Sequence, residues 1–227
     1  MIFINDLPRS VKNECKLYAD DSKIMGKVRC VDDCVILQGD IDRVVNWAIE
    51  WQSLFNIGKC IVLRMGKNNP EYEYTMLDPS KNNRIKLSVT QVEKDLGILI
   101  SNDLKWNQQI AKATRLAQFA LSQIKNTFVC HEPEIIRPLY LALVRPHLEY
   151  AVAVWNPHLV QDCNKLEKIQ KRATKLCPKL RKKPYEERLK NFQITTLKTR
   201  RERGDLIQFY KIVHGLEEVK WIKELKC

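Results

Sequence analysis

From Asp33 onward, Leu37, Ile41, Val44, Ala48, Trp51 and Phe55 recur three or four residues apart. This spacing predicts a helix with one buried face. Asp32 or Asp33 is its candidate N-cap, Gly58 follows its end, and Trp47 and Trp51, one helical turn apart, read as core rather than as a base-stacking platform. Ahead of it, residues 15–18 and 23–25 are short strand candidates flanking the polar turn Ala19-Asp20-Asp21-Ser22, which predicts a hairpin. Residues 60–65 and 96–100 are β-type runs, with 72–76 and 85–89 as a weaker strand pair in the Asn-, Pro- and Lys-rich stretch between them. After Trp106 the period changes: Ile110, Ala113, Ala117, Leu121, Ile124 and Phe128 define a long amphipathic helix. Residues 133–144 and 146–155 predict two more helices divided by Pro146, which ends one and opens the next. Leu166, Ile169, Ala173 and Leu176 then face one side of a helix whose other side carries Lys168, Lys171, Arg172, Lys175 and Lys179. A last helix spans 196–214, with Arg200, Arg201 and Arg203 near its start and Gly215 as its stop. The expectation is an α+β chain, with an α+β domain over 1–106 and a helical one over 107–227.

Charge sharpens this division. The formal charge of +12 lies in the second half: residues 107–227 carry 24 basic against 12 acidic side chains, while residues 1–58 carry 7 against 9. Residues 165–203 alone hold 15 against 4. A basic stripe at helical spacing is what tracking a phosphate backbone requires, so RNA or DNA is the expected partner. The eight cysteines contain no Cys-x-x-Cys pair and no matching histidines, so reduced intracellular thiols are expected rather than zinc ligands or disulfides. The amino-terminal run Met1-Ile2-Phe3-Ile4 is too short for a secretory signal, and no stretch reaches the ~20 apolar residues of a membrane span. The expectation is a soluble protein of the nucleus or cytoplasm, neither secreted nor membrane-bound.

Candidate chemistry centres on Tyr18-Ala19-Asp20-Asp21. Nucleotidyl transfer to a 3′-hydroxyl uses two Mg²⁺ ions roughly 4 Å apart. Magnesium takes hard oxygen ligands, commonly one or two carboxylates with phosphate and water for the rest. Adjacent aspartates in a regular strand point to opposite faces, so they converge only where a turn breaks the alternation. A hairpin tip supplies such a turn.

The surrounding blocks resemble the reverse transcriptases of non-LTR retrotransposons, the jockey-like and related lineages, over nearly the whole chain. Phe3-Ile4-Asn5-Asp6-Leu7-Pro8 is similar to the family's lead into its catalytic hairpin, and Tyr18 to Asp21 to its metal-binding box. Phe55-Asn56, Lys59-Cys60 and Gly66 resemble the next block, and Asp95-Leu96-Gly97-Ile98 with Leu104-Lys105-Trp106 the primer-gripping one. Leu139-Tyr140, Val144-Arg145-Pro146, Tyr150-Ala151 and Val154-Trp155 resemble the segment beyond the thumb, which Leu166-Glu167, Gln170, Arg172-Ala173 and Gly204-Asp205-Leu206 continue.

The resemblance implies a partial polymerase palm followed by a helical thumb and carboxyl-terminal extension. It implies Asp20 and Asp21 as ligands of Mg²⁺ or Mn²⁺, Tyr18 stacked beside the primer end, and Lys59 as the proton donor to departing pyrophosphate. Leu96 and Gly97 would contact primer, and Lys168, Lys171, Arg172, Lys175 and Lys179 template or primer. RNA template, DNA primer and dNTP are the implied partners. In the family another metal-binding aspartate and a glycine-containing nucleotide-positioning block lie upstream of this hairpin. The 227 residues start after both, so they are expected to be inactive alone. An alternative from another class is a non-catalytic, basic, helical nucleic-acid-binding protein.

Overall fold

The computed structural model describes residues 3–219, so Met1, Ile2 and Cys227 lie outside the described residues. The chain is mixed α and β and divides into two compact units, Met1–Asp95 with Ile100–Lys105, and Leu96–Leu99 with Trp106–Cys227.

The first unit opens with a 3₁₀ segment, Phe3–Ser10, followed by the antiparallel pair β1 (Glu14–Tyr18) and β2 (Asp21–Met25). Helix α1 (Val31–Glu50) comes next. Its N-cap is Cys30, not Asp32 or Asp33. Asp33 is the third helical residue and reaches back, its carboxylate accepting from the Arg29 and Cys30 amides at 2.8 and 3.2 Å. The helix stops at Glu50 rather than running to Phe55. Gln52 adopts a left-handed φ of +52° and the Ser53 amide donates to the Ala48 carbonyl at 2.8 Å, closing a Schellman-type cap without glycine. Trp47 is buried as expected, while Trp51 falls beyond the helix and is exposed.

After a 3₁₀ turn, Ile57–Lys59, come β3 (Ile61–Leu63), β4 (Thr75–Asp78), β5 (Asn83–Lys86), β6 (Ser88–Thr90) and β7 (Val92–Asp95). β4 and β5 form a hairpin with Met76 opposite Ile85, and β3 pairs in parallel with β6. The expected run 85–89 is therefore split between two sheets. β7 pairs with β8 (Ile98–Ser101), and Leu96 and Gly97 are not strand residues: both have positive φ and form the turn between them.

Two small apolar clusters hold the first unit, one around Cys34, Ile41, Val45, Tyr74, Met76 and Leu87 and one around Leu7, Val44, Trp47 and Ala48. The Gln38 side chain acts as a surrogate strand edge for β4, donating to the Thr75 carbonyl at 2.8 Å and accepting from the Thr75 amide at 2.9 Å. Asp40, fully buried, takes the Lys12 and Asn13 amides at 2.7 and 2.9 Å and pairs with Arg43. These contacts anchor the entry to β1 on α1.

The second unit is built on α2 (Asn107–Thr127), whose buried face is Ile110, Ala113, Ala117, Leu121 and Ile124; Phe128 lies past its end, partly exposed. Then α3 (Pro133–Leu139), a π turn (Tyr140–Val144) and α4 (Arg145–Glu149) run on as one helical path. Pro146 does not break it, because it occupies the first turn of α4, where no amide is required, and the π turn absorbs the change of phase. The break comes at Ala151, with φ of +50°. α5 (Val152–Trp155), α6 (Val160–Ala173), a 3₁₀ turn (Pro178–Leu180), α7 (Tyr185–Phe192) and α8 (Leu197–Val213) complete the unit around one large core. Thr196 caps α8 by accepting from the Thr199 amide at 3.0 Å, and Gly215, at φ +67°, ends it. No helix of the described residues is long and apolar enough to cross a membrane. The seven described cysteines are all free thiols.

Candidate functional site

The β1–β2 hairpin closes in two residues. Tyr18 pairs with Asp21, leaving Ala19 and Asp20 as the turn, and Ala19 takes a φ of +52°. Tight hairpins usually give that conformation to glycine or asparagine, so alanine there is strained. Leu17 and Ile24 pack partly buried against the Leu7–Trp47 cluster, which orients the hairpin, while Tyr18, Asp20 and Asp21 all remain exposed at its tip. The alternation that would separate the two aspartates is thus broken where they occur.

Two carboxylates at one tip supply hard oxygen donors of the kind Mg²⁺ takes from protein when phosphates complete its shell. Among the described residues no group of three or more His, Cys, Asp or Glu side chains is gathered that could hold a metal ion.

Other sequence-singled residues are distributed as follows. Lys59 ends the Ile57–Lys59 turn and is exposed, with no hydrogen bond or ion pair among the described residues joining it to Asp20 or Asp21. Lys23, on β2, pairs with Asp95 at the end of β7, a contact that links the hairpin to that strand and that periodicity does not reveal. In the second unit, the Leu96–Gly97 turn is held by side chains. The Tyr150 hydroxyl donates to the Leu96 carbonyl at 2.9 Å and the Lys112 ammonium to the Gly97 carbonyl at 2.6 Å. A β-carbon at Gly97 would come within 3.2 Å of the Tyr150 ring, and φ is +86°, so only glycine fits. Both carbonyls of the turn are thereby occupied, and the Leu96 side chain is exposed.

The basic stripe is shorter than its spacing suggested. α6 ends at Ala173, so Lys168, Lys171 and Arg172 lie on the helix, Lys175 in the following turn and Lys179 in the Pro178–Leu180 turn. Helical propagation stops because the Lys175 and Leu176 amides turn to the Arg172 and Ala173 carbonyls at 3.0 and 3.1 Å. All five side chains are exposed. Arg172 donates to Gln118 of α2 at 2.6 Å, Lys179 pairs with Glu132 at 3.0 Å, and Lys171 lies 5.1 Å from the Tyr185 ring centroid. Lys168 and Lys175 have no partner among the described residues.

Beneath this surface is a buried polar network anchored on Gln170. It accepts from the Tyr140 hydroxyl at 2.6 Å and donates to the Tyr185 hydroxyl and the Thr195 carbonyl, both at 2.9 Å. Burial pushes the Tyr140 and Tyr185 hydroxyls up, and the Glu167 carboxylate bonded to Tyr185 adds to the second shift, so both stay protonated donors. Arg188, though buried, donates to the Lys171 carbonyl at 2.8 Å and the Thr174 hydroxyl at 2.7 Å, which fixes the end of α6. Sequence reading placed Tyr140, Glu167 and Gln170 only within family-like blocks and foresaw no bonding among them; a glutamine on the apolar seam of α6, one residue after Ile169, was the available signal.

Comparison of the chain with protein-family models, with curated proteins and with solved structures finds no match.

Proposed function

We propose that this chain is palm and thumb material of a reverse transcriptase resembling those of non-LTR retrotransposons, serving RNA-templated DNA synthesis by two-metal nucleotidyl transfer. Support comes chiefly from Tyr18-Ala19-Asp20-Asp21 at the tip of a strained two-residue hairpin, with both carboxylates exposed. Asp20 and Asp21 would hold Mg²⁺ or Mn²⁺, which when bound activates the attacking oxygen and neutralises charge on the leaving phosphates. Tyr18 would offer a ring face to the primer end, and Lys59 a proton to pyrophosphate. The exposed cations from Lys168 to Lys179 would follow template or primer backbone.

A second reading, a basic nucleic-acid-binding protein without catalysis, is favoured by the assembly of only two candidate carboxylates among the described residues. Mn²⁺ titration followed by paramagnetic broadening of backbone amides separates the two. Broadening confined to the hairpin tip and abolished in Asp20→Ala supports the polymerase reading. Absence of any localised broadening would remove the metal role and leave nucleic-acid binding. The 227-residue chain is expected to give no primer extension alone, because two carboxylates do not complete a two-metal site. A fusion supplying a family strand with a third aspartate is expected to give Mg²⁺-dependent extension that Asp20→Ala eliminates and Lys59→Ala slows.

A further inference from the structure

Helix α8 carries a row of apolar side chains on a face that the second unit does not cover. Leu206, Phe209, Tyr210 and Val213 recur at i, i+3, i+4 and i+7, the spacing by which one helix packs on another. In a helix that serves only its own core such a row turns inward. Here the covered side is a different one, marked by buried Leu197 and Arg201 and half-buried Gln208 and Ile212. Ile207 and Leu216 flank the row, and all six apolar side chains are between 47% and 69% exposed.

The described residues that follow the helix leave the row open. Gly215 turns the chain, and Glu217 then accepts from Gln208 and from the Lys211 ammonium, the latter at 3.0 Å, on a side of α8 away from the row. Tyr210 is fixed by stacking on His214, with ring centroids 3.9 Å apart, so docking a partner on it orders little that is not already ordered.

Area and charge indicate what covers the row. Six side chains half exposed or more offer on the order of 500 Å² per copy, so two copies face to face bury roughly 1,000 Å², the lower bound of a specific interface. Aromatic side chains at the centre with charges at the rim are the usual composition of such a contact. A nucleic acid or an anionic membrane is disfavoured, because residues 204–219 hold 1 basic side chain against 3 acidic ones, the reverse of the excess over residues 165–203. The two ends of the row also differ in charge. Arg203 lies one turn before Leu206 and Glu218 follows Leu216, both exposed and without an ion-pair partner among the described residues. An antiparallel meeting of two copies sets the Arg203 end of each beside the Glu218 end of the other, whereas a parallel meeting sets like charge on like.

We infer that the exposed face of α8 is a self-association surface on which a second copy of this chain docks, its own α8 antiparallel to the first. The surface does not depend on the polymerase reading. The test is sedimentation velocity of the full chain, freed of nucleic acid, over a range of concentrations. The wild type is expected to pass from monomer to dimer and to stop there, because an isologous contact closes on itself. Phe209→Lys puts a charge at the centre of the face in both copies and is expected to raise the dissociation constant about 100-fold. Phe119→Lys, at an equally exposed phenylalanine on α2, is expected to leave it unchanged. Arg203→Glu is expected to weaken the dimer about fivefold at low salt, and Arg203→Glu combined with Glu218→Arg to recover it. A dimer unmoved by Phe209→Lys overturns the proposal. So does a wild type that stays monomeric at every concentration, and binding of that monomer to anionic phospholipid vesicles would assign the face to a membrane instead. If Phe209→Lys fails to fold, the charge pair decides: recovery in the double variant supports the docking and its absence overturns it.

Discussion

Ala19 holds a φ of +52° at the hairpin tip, a conformation that disfavours any β-carbon. Ala19→Gly is therefore expected to stabilise the first unit by about 1 kcal/mol, read as a higher urea midpoint from Trp47 fluorescence. An unchanged or lower midpoint would mean that the turn is not strained. Asp40 raises a pH question at the same scale. Burial pushes its carboxyl up, but the Lys12 and Asn13 amides and the Arg43 and Asn13 side chains outweigh this, so its pKa falls below the ordinary value. With a depressed folded pKa, its contribution is fully present above the unfolded carboxylate value of about 4 and is lost as pH falls through the folded value. Asp40→Asn is expected to lower stability at neutral pH by about 1.5–3 kcal/mol and to flatten the acid limb of the stability curve. Parallel acid limbs in mutant and wild type would exclude that role.

At the scale of elements, α6 joins two tasks through its opposite faces. Leu166, Ile169 and Ala173 enter the core beside Gln170, and the cations point outward. Gln170→Leu orphans the buried Tyr140 hydroxyl and the Thr195 carbonyl, so a loss of about 2–3 kcal/mol is expected in denaturant unfolding. A neutral effect would show that the network is replaceable by apolar packing. If about five of the outward cations meet phosphates, the logarithm of affinity for single-stranded RNA should fall with the logarithm of salt at a slope of roughly −4. Lys168→Glu with Lys175→Glu removes the two cations that have no protein partner, and should weaken binding without altering the melting temperature. A salt-independent affinity would leave the stripe as a solvated face.

For the whole molecule, the contrast between the two units decides where stability lies. Among the described residues the second unit gathers 18 buried residues into one cluster, whereas the first divides 10 between two. The first unit's strands also occur only as two-stranded sheets, which are marginal in water unless packed against another element. Hydrogen exchange is accordingly expected to be slowest across α2 and α6 and fastest across β1, β2 and β7, with the first unit opening at lower free energy. Equal protection of the β1–β2 hairpin and α2 would contradict this.

Local periodicity determined much of the molecule without help. The buried face of α2, the hairpin around Ala19 and Asp20 and the stop at Gly215 depend on spacings of two or three to four residues and on turn chemistry. All of these act between near neighbours. What only the tertiary structure decided depends on groups far apart in sequence. The parallel pairing of residues 61–63 with 88–90 skips over an intervening hairpin, and the Leu96–Gly97 turn is held by Lys112 and Tyr150. Asp20 and Asp21 were legible as candidates because adjacent carboxylates fall at a turn, but whether further carboxylates join them depends on chain packing. Arg201 looks in sequence like one more cation of a basic run. Its burial, to 4% exposure, follows only from the packing of the helices.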